Sequence, residues 1–152
     1  MYEFLDYRAR DFMSPPVTIE SEISLADAER ILEEKQFGSL PVVDENGALI
    51  GLVTSLDLLK AFRFGADYLF PPYDQIMQRP VSEIMSRNPL SVRPLTPLTR
   101  VLRKMIDTRN KSFPIVDGAR VVGVVAREDV MRALCLADAG SHVTEGLAPS
   151  IQ

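Results

Sequence analysis

One cysteine, one histidine and no tryptophan occur among the 152 residues of the chain, and these scarcities remove several kinds of chemistry at once. Cys135 has no partner for an internal disulfide, so a reducing cytoplasm is the expected setting. It falls in the apolar stretch 130–135, where a core position is expected rather than a nucleophile. His142 stands alone near the C-terminus, so a metal cluster or a Ser-His-Asp arrangement lacks material, and no metal site is expected. No Walker loop is present, and Gly38, Gly47 and Gly51 are too dispersed for a dinucleotide fingerprint. No apolar run approaches the roughly 18 residues of a membrane span, and residues 1–8 lack the basic start and apolar stretch of a signal peptide. A net charge of −4, without a basic-aromatic stripe, gives no pull toward nucleic acid or anionic lipid. The chain reads as a non-enzyme.

What the chain does have, it has twice. Met13-Ser14 with Pro15 returns as Met85-Ser86 with Pro89, and Ser39-Leu40-Pro41-Val42-Val43-Asp44 returns as Ser112-Phe113-Pro114-Ile115-Val116-Asp117. Gly51-Leu52-Val53 answers Gly123-Val124-Val125, and the echo ends with Asp57 and Asp129. The spacing is 72 positions at both ends (13 to 85, 57 to 129), so one extra residue near Arg87-Asn88 is cancelled by a shorter later turn. Such a period marks internal duplication. Each copy alone, at roughly 55 to 60 residues, would bury only about 60% of its unfolded surface, whereas two copies sharing a core make one ordinary domain.

Each copy predicts strand, helix, strand, strand, helix. In the first, Arg10 to Met13 forms a short helical turn and Val17-Thr18-Ile19 a brief extended segment. Ser24 with Asp27 caps a helix whose stripe is Leu25, Ala28, Ile31 and Leu32, ended by Gly38. Strands at 40–44 and 48–53 flank Asn46-Gly47, a hairpin signal, and a helix at about 56–64 closes the copy. In the second, Thr96-Pro97 opens a helix with Leu98, Val101, Leu102, Met105 and Ile106 inward and Asn110 as its left-handed stop. Asp117-Gly118 makes the hairpin, and 128–139 the closing helix. The expected divisions are 9–64, an apolar connecting insert at 65–80, 81–138, and a tail at 139–152. The insert, with Tyr68, Leu69, Phe70, Pro71, Pro72, Tyr73, Ile76 and Met77, reads as a crossover packed on its own domain, or alternatively as a lid or dimer contact. The tail reads as poorly ordered chain or a partner-dependent arm.

The Met-Ser before proline, the Pro-Val-Val-Asp strand and Gly-Leu-Val-Thr-Ser-Leu-Asp opening the last helix, all in duplicate order, resemble a tandem pair of cystathionine beta-synthase (CBS) domains, a Bateman module. The resemblance implies an α/β (α+β) fold of two pseudo-symmetric β-α-β-β-α repeats packed through their sheets. It also implies two clefts for adenosine-containing regulatory ligands, among them AMP, ADP, ATP or S-adenosylmethionine, and a homodimer that signals to a protein partner. The first cleft would take adenine near Val17, Thr18, Ile19, Ser39, Leu40 and Pro41, ribose hydroxyls at Asp57, and phosphate at Thr54 and Ser55. The second would use Leu90, Ser91, Val92, Lys111, Ser112, Phe113, Pro114, Arg127 and Asp129. Independently, a helix start favours phosphate and a carboxylate is an acceptor suited to a diol. Thr54-Ser55-Leu56-Asp57 is equally a plain capping sequence, and the two roles need not compete.

The second copy departs from the pattern: Ala126 stands for Thr54 and Arg127 for Ser55, with Asp129 kept. Arg127 would offer phosphate a forked cation or sit solvated, with Arg109 and Lys111 adding charge nearby. The sequence therefore predicts unequal clefts. The competing reading is a ligand-independent dimerisation scaffold.

Overall fold

The computed structural model describes residues 2–36, 38–63 and 72–147, so Tyr68, Leu69, Phe70 and Pro71 of the insert lie outside the described residues. The chain opens with two short helices, α1 (Tyr2–Asp6) and α2 (Ala9–Phe12). The first repeat follows with β1 (Ile19–Glu20), α3 (Leu25–Lys35), β2 (Ser39–Val43), β3 (Leu49–Thr54) and α4 (Ser55–Lys60). After α5 (Tyr73–Met77) and a 3-10 turn (Val81–Glu83), the second repeat gives α6 (Leu98–Thr108), β4 (Ser112–Asp117), β5 (Arg120–Ala126) and α7 (Arg127–Leu147). The mixed α+β architecture of two repeats is the one the sequence predicts.

In the first sheet β1 runs parallel to β2 and β2 antiparallel to β3; the second sheet is the antiparallel pair β4 and β5. The expected third strand of the second sheet shrinks to a single bridge between Val92 and Ile115. The cause is local. The N–H of Arg93 goes to the Thr96 hydroxyl at 2.9 Å, and Pro94 has no N–H to give, so the ladder ends after Val92. The extra residue near Arg87 is absorbed at Asn88, whose φ of 61° is left-handed.

Several predicted end signals shift by a residue or two. Ser24 caps α3 as expected, accepting from the N–H of Asp27 at 3.1 Å. The left-handed C-caps are Gln36 (φ 56°) and Arg109 (φ 61°) rather than Gly38, itself at φ 81° two residues on, and Asn110. Pro97 is the residue before α6 rather than its first, and its carbonyl accepts from Arg100 and Val101. In the first hairpin only Gly47 adopts positive φ. The carboxylate of Asp44 holds the wider loop by accepting from the N–H groups of Asn46 and Ala48, in place of the tight turn that Asn-Gly predicts.

The two repeats are laced through one another. Ser14 pairs with Val124 of β5, and Ser86 pairs with Leu52 of β3, each by two reciprocal backbone hydrogen bonds of 2.9–3.0 Å. The preceding methionines explain the duplicated glycines: a Cβ at Gly51 would lie 2.5 Å from the Met85 sulfur, and one at Gly123 2.6 Å from that of Met13. Each repeat's Met-Ser thus serves the other repeat's last strand. The same exchange divides the cores. Phe4, Ala9 and Phe12 pack with Leu98, Phe113, Ile115 and Val125 of the second repeat, while Met77 and Val81 pack with Leu25, Leu40, Val42 and Val53 of the first. The described end of the insert therefore lies on the first repeat, with Tyr73 stacked on Phe62 at 5.6 Å.

Two corrections concern α7. It runs unbroken to Leu147, so most of the stretch expected as poorly ordered chain or a partner-dependent arm is helical. Its packing reaches Gly140, where a Cβ would meet the Glu3 carboxylate of α1 at 2.6 Å. Its buried stripe is Val130, Ala133 and Ala137, which leaves Cys135 exposed rather than in the core. Ile106, expected inward on α6, is likewise exposed.

Candidate functional site at the seam

The pseudo-twofold axis passes between the hydroxyls of Ser39 and Ser112, hydrogen-bonded at 3.2 Å, and the bridge joining Ala48 to Arg120. Beside the serine pair lies a crevice of about 170 Å³ lined by Ser39, Leu52, Thr54 and Ser55 of the first repeat and by Arg109, Asn110, Lys111 and Ser112 of the second. Lys111 and Ser112, assigned by the sequence to the second cleft, thus meet Thr54 and Ser55 in a shared one. The stem of Lys111 reaches this place because its counterpart across the axis is Gly38; a Cβ there would touch the Lys111 Cδ at 2.9 Å.

Thr54 and Asp57 form a complete capping box. Asp57 Oδ2 accepts from the Thr54 N–H at 2.9 Å and from its hydroxyl at 3.0 Å, and Thr54 Oγ1 accepts from the Asp57 N–H at 3.2 Å. Such a cap is worth about 1 kcal/mol. It also fixes the Asp57 side chain, 5% exposed, in one orientation. Among the described residues Oδ1 of Asp57 takes no partner. Because no fully buried polar side-chain atom among those residues lacks one, Oδ1 must touch solvent. The capping role and an open acceptor coexist on one carboxylate.

The remaining first-cleft residues divide. Val17 and Thr18 immediately precede β1, at the end of the sheet where β2 begins and β3 finishes, so they share an end with Ser39 and Thr54. Ile19, Leu40 and Pro41 are buried in or against the core, so only their backbone groups are available to a ligand. None of these five lines the crevice.

In the second copy the corresponding polar groups are already engaged. Asp129 Oδ2 accepts from the Ala126 N–H at 2.7 Å, and its Oδ1 pairs with the Arg132 guanidinium at 3.1 Å. Arg132 also reaches the Phe12 carbonyl at 3.4 Å and lies over the Phe12 ring. Arg127 turns back onto the end of α6, donating to the carbonyls of Arg109 at 2.7 Å and Asn110 at 3.3 Å. There it closes a helix terminus, where a cation is favoured. The Ser91 carbonyl takes Lys104 Nζ at 2.8 Å, with that ammonium 5.4 Å from the Phe113 ring centre. Val92, Phe113 and Pro114 are buried, and Leu90 is exposed. Sequence reasoning missed Lys104 and Arg132; Lys104 was signalled by Ile31 at the matching position of the first repeat, whereas Arg132 stands where that repeat has Lys60, also a cation, and gave no signal.

Fold and seam together define a duplicated α+β module with a shared crevice beside a helix start at an internal pseudo-twofold. The chain belongs to the CBS domain family, whose model matches residues 9–63 and again 81–136. It is similar to the chloroplastic CBS domain-containing protein CBSX2 of Arabidopsis thaliana, at 29% identity over 150 residues, covering 84% of this chain and 63% of that protein. It is also similar to L-aspartate semialdehyde sulfurtransferase of Methanocaldococcus jannaschii, at 35% identity over 125 residues, covering 81% of this chain but only 22% of that one. Among solved structures, CBSX2 in complex with AMP matches with a TM-score of 0.71 and 30% identity, covering 86% of this chain and 97% of that one. The CBS domain pair of protein MJ0100, in complex with 5′-methylthioadenosine and S-adenosyl-L-methionine, matches with a TM-score of 0.67 and 35% identity, covering 84% and 95%. Among the described residues no group of side chains suits a metal ion, and no helix is long and apolar enough to cross a membrane.

Proposed function

We propose that this chain is a regulatory module that binds one adenosine-containing ligand, at the first cleft, and passes the resulting rearrangement to a protein partner. The observation that carries this reading is the asymmetry of the two carboxylates: Asp57 keeps an open Oδ1, whereas both oxygens of Asp129 are committed. Asp57 Oδ1 accepts from the ribose hydroxyls, backbone groups at Val17, Thr18 and Pro41 read the base, and phosphate lies at Thr54, Ser55 and Lys111. Lys111 carries most of the phosphate attraction, because α4 is only six residues long and its dipole correspondingly weak. The complexes of CBSX2 with AMP and of the MJ0100 pair with two adenosyl compounds support the ligand class. Because residues from both repeats line the crevice, a ligand there favours one arrangement of the halves over another, as coupling requires. The module works in the cytoplasm as a homodimer without catalysis of its own; the relatives that carry enzyme names are matched over about a fifth of their length.

Calorimetric titration with AMP, ADP, ATP and S-adenosylmethionine tests the reading, with one ligand per chain expected. No binding by any of them at millimolar concentration overturns it.

One observation favours the scaffold reading. A crevice of about 170 Å³ is smaller than the roughly 300 Å³ usual for small-molecule sites, so a ligand must open it or extend into the adjoining groove. If partner binding survives both Asp57→Ala and Asp129→Ala, and a dimer persists unaltered by nucleotide, the scaffold reading replaces the sensor.

A further inference from the structure

The wall that the second repeat gives to the crevice is the run from Arg109 to Ser112, between the end of α6 and the start of β4. Three consecutive carbonyls of that run are held by one residue. The Arg127 guanidinium donates to those of Arg109 at 2.7 Å and Asn110 at 3.3 Å, and the Arg127 N–H donates to that of Lys111 at 2.9 Å. The run is otherwise irregular: Arg109 is left-handed, and the N–H of Asn110 reaches the Thr108 hydroxyl at 3.4 Å. At the matching corner of the first repeat the residue is Ser55, whose hydroxyl has one proton to donate and cannot hold two carbonyls. The clamp therefore belongs to the second repeat alone.

Lys111 is the cation set against phosphate in the function proposed above, and it is an exposed side chain with many rotamers to lose on binding. Two contacts limit that freedom. Its stem lies against Gly38, where an added Cβ would come within 2.9 Å of the Lys111 Cδ and 3.3 Å of its Cβ. Its carbonyl is fixed by Arg127. A binding group held in place beforehand loses less freedom when its ligand arrives.

We infer that Arg127 is a positioning residue of the first cleft: from the start of α7 it holds Arg109, Asn110 and Lys111 so that the Lys111 ammonium is set for phosphate across the axis. It touches no ligand itself, because its guanidinium is spent on carbonyls at the end of α6, where a cation is favoured. The residue that the duplication assigns to the second cleft thus serves the first. The inference rests on the nucleotide reading above, and the experiment separates the failure of one from the failure of the other.

Titration calorimetry with AMP and with adenosine is run on the wild-type chain and on R127S, K111A and K111A/R127S. R127S places in the second repeat the residue that the first has there; it lowers AMP affinity about tenfold and leaves adenosine within about twofold, since only the phosphate end meets Lys111. In the K111A background the same change costs AMP nothing further, because the side chain it acts through is gone. R127K keeps the charge without the planar fork and behaves as R127S does. Losses that add in the double variant, or full AMP affinity in R127K, would make Arg127 a charge acting directly on phosphate and overturn the inference. Equal losses for AMP and adenosine overturn it too, by showing a general loosening of the fold, as does an AMP affinity unchanged in R127S. If the wild-type chain binds neither compound, the nucleotide reading itself falls and takes the inference with it.

Discussion

The corners at Thr54–Asp57 and Ala126–Asp129 have the same backbone plan and opposite chemical states. At both, an aspartate three residues into the turn accepts from the N–H that precedes the helix, at 2.9 Å in the first repeat and 2.7 Å in the second. The first corner closes its cap with a hydroxyl and leaves an oxygen open. The second has no hydroxyl and closes the open oxygen with Arg132. Ser91 and Arg127 are tied down nearby by the same means, a basic side chain or a carbonyl from the same repeat. Duplication supplied two equivalent frames, and in one of them each carboxylate oxygen has an internal partner, a backbone N–H on one and a guanidinium on the other. On the proposed reading, what would distinguish a binding corner from a structural one is whether its acceptors are already partnered.

The largest effect expected from breaking this contrast is on affinity. Asp57→Ala removes the open acceptor and lowers affinity for an adenosine ligand by about ten- to a hundredfold, the loss of hydrogen bonds to a charged group. Asp129→Ala leaves that affinity within about twofold, since its carboxylate is internally paired. Titration calorimetry on both variants reads the difference, and equal losses would sink the one-cleft reading.

The scaffold, by contrast, should respond symmetrically. Gly51→Ala and Gly123→Ala each drive a Cβ into a methionine sulfur and against a serine carbonyl, 3.2 Å from Ser86 O and 3.1 Å from Ser14 O. The sulfur can swing aside but the paired backbone cannot, so each change should cost about 1–3 kcal/mol in urea unfolding. A loss at one glycine only would mean that the lacing of the repeats is unequal.

These two levels are not equally legible in the sequence. The repeat, the element order and the caps at Ser24 and Thr54 can be read because they depend on neighbours in the chain. The lacing cannot: Met13 and Gly123 are far apart in sequence, and the duplication alone does not say which copy's methionine covers which copy's glycine. The repeat pattern groups Lys111 with the second copy alone for the same reason, although its side chain lies against Gly38 of the first. For Arg127 the sequence offers a phosphate ligand or a solvated charge. Its third option, capping the carbonyls of Arg109 and Asn110, requires knowing that α6 ends beside the start of α7. Cys135 and Ile106 read as internal because an apolar helix stretch does not reveal how wide its buried face is.

Smaller effects sharpen the comparison of the caps. Thr54→Ala removes the hydroxyl that accepts from Asp57 and donates to it, and should cost about 1 kcal/mol, leaving the first corner with the single N–H bond that the second has natively. Differential scanning calorimetry reads this as a lower Tm. An unchanged Tm would mean that the hydroxyl matters for ligand alone.

The smallest effect should come from Arg132→Ala. Its side chain is 59% exposed, so its pairing with Asp129 is screened and contributes less than about 1 kcal/mol to stability. Its consequence for the second corner is larger than its energy, because Oδ1 of Asp129 then has no cation, as Oδ1 of Asp57 has none. Ala126 still lacks the hydroxyl and Arg127 still folds over the end of α6, so the freed oxygen recovers only part of a cleft. The expected outcome in titration is a second, weaker binding event per chain beside the unchanged first. If only one event is seen and stability falls as predicted, Ala126 and Arg127 rather than Arg132 keep the second corner shut, and the triple change Ala126→Thr, Arg127→Ser, Arg132→Ala becomes the variant that must bind twice.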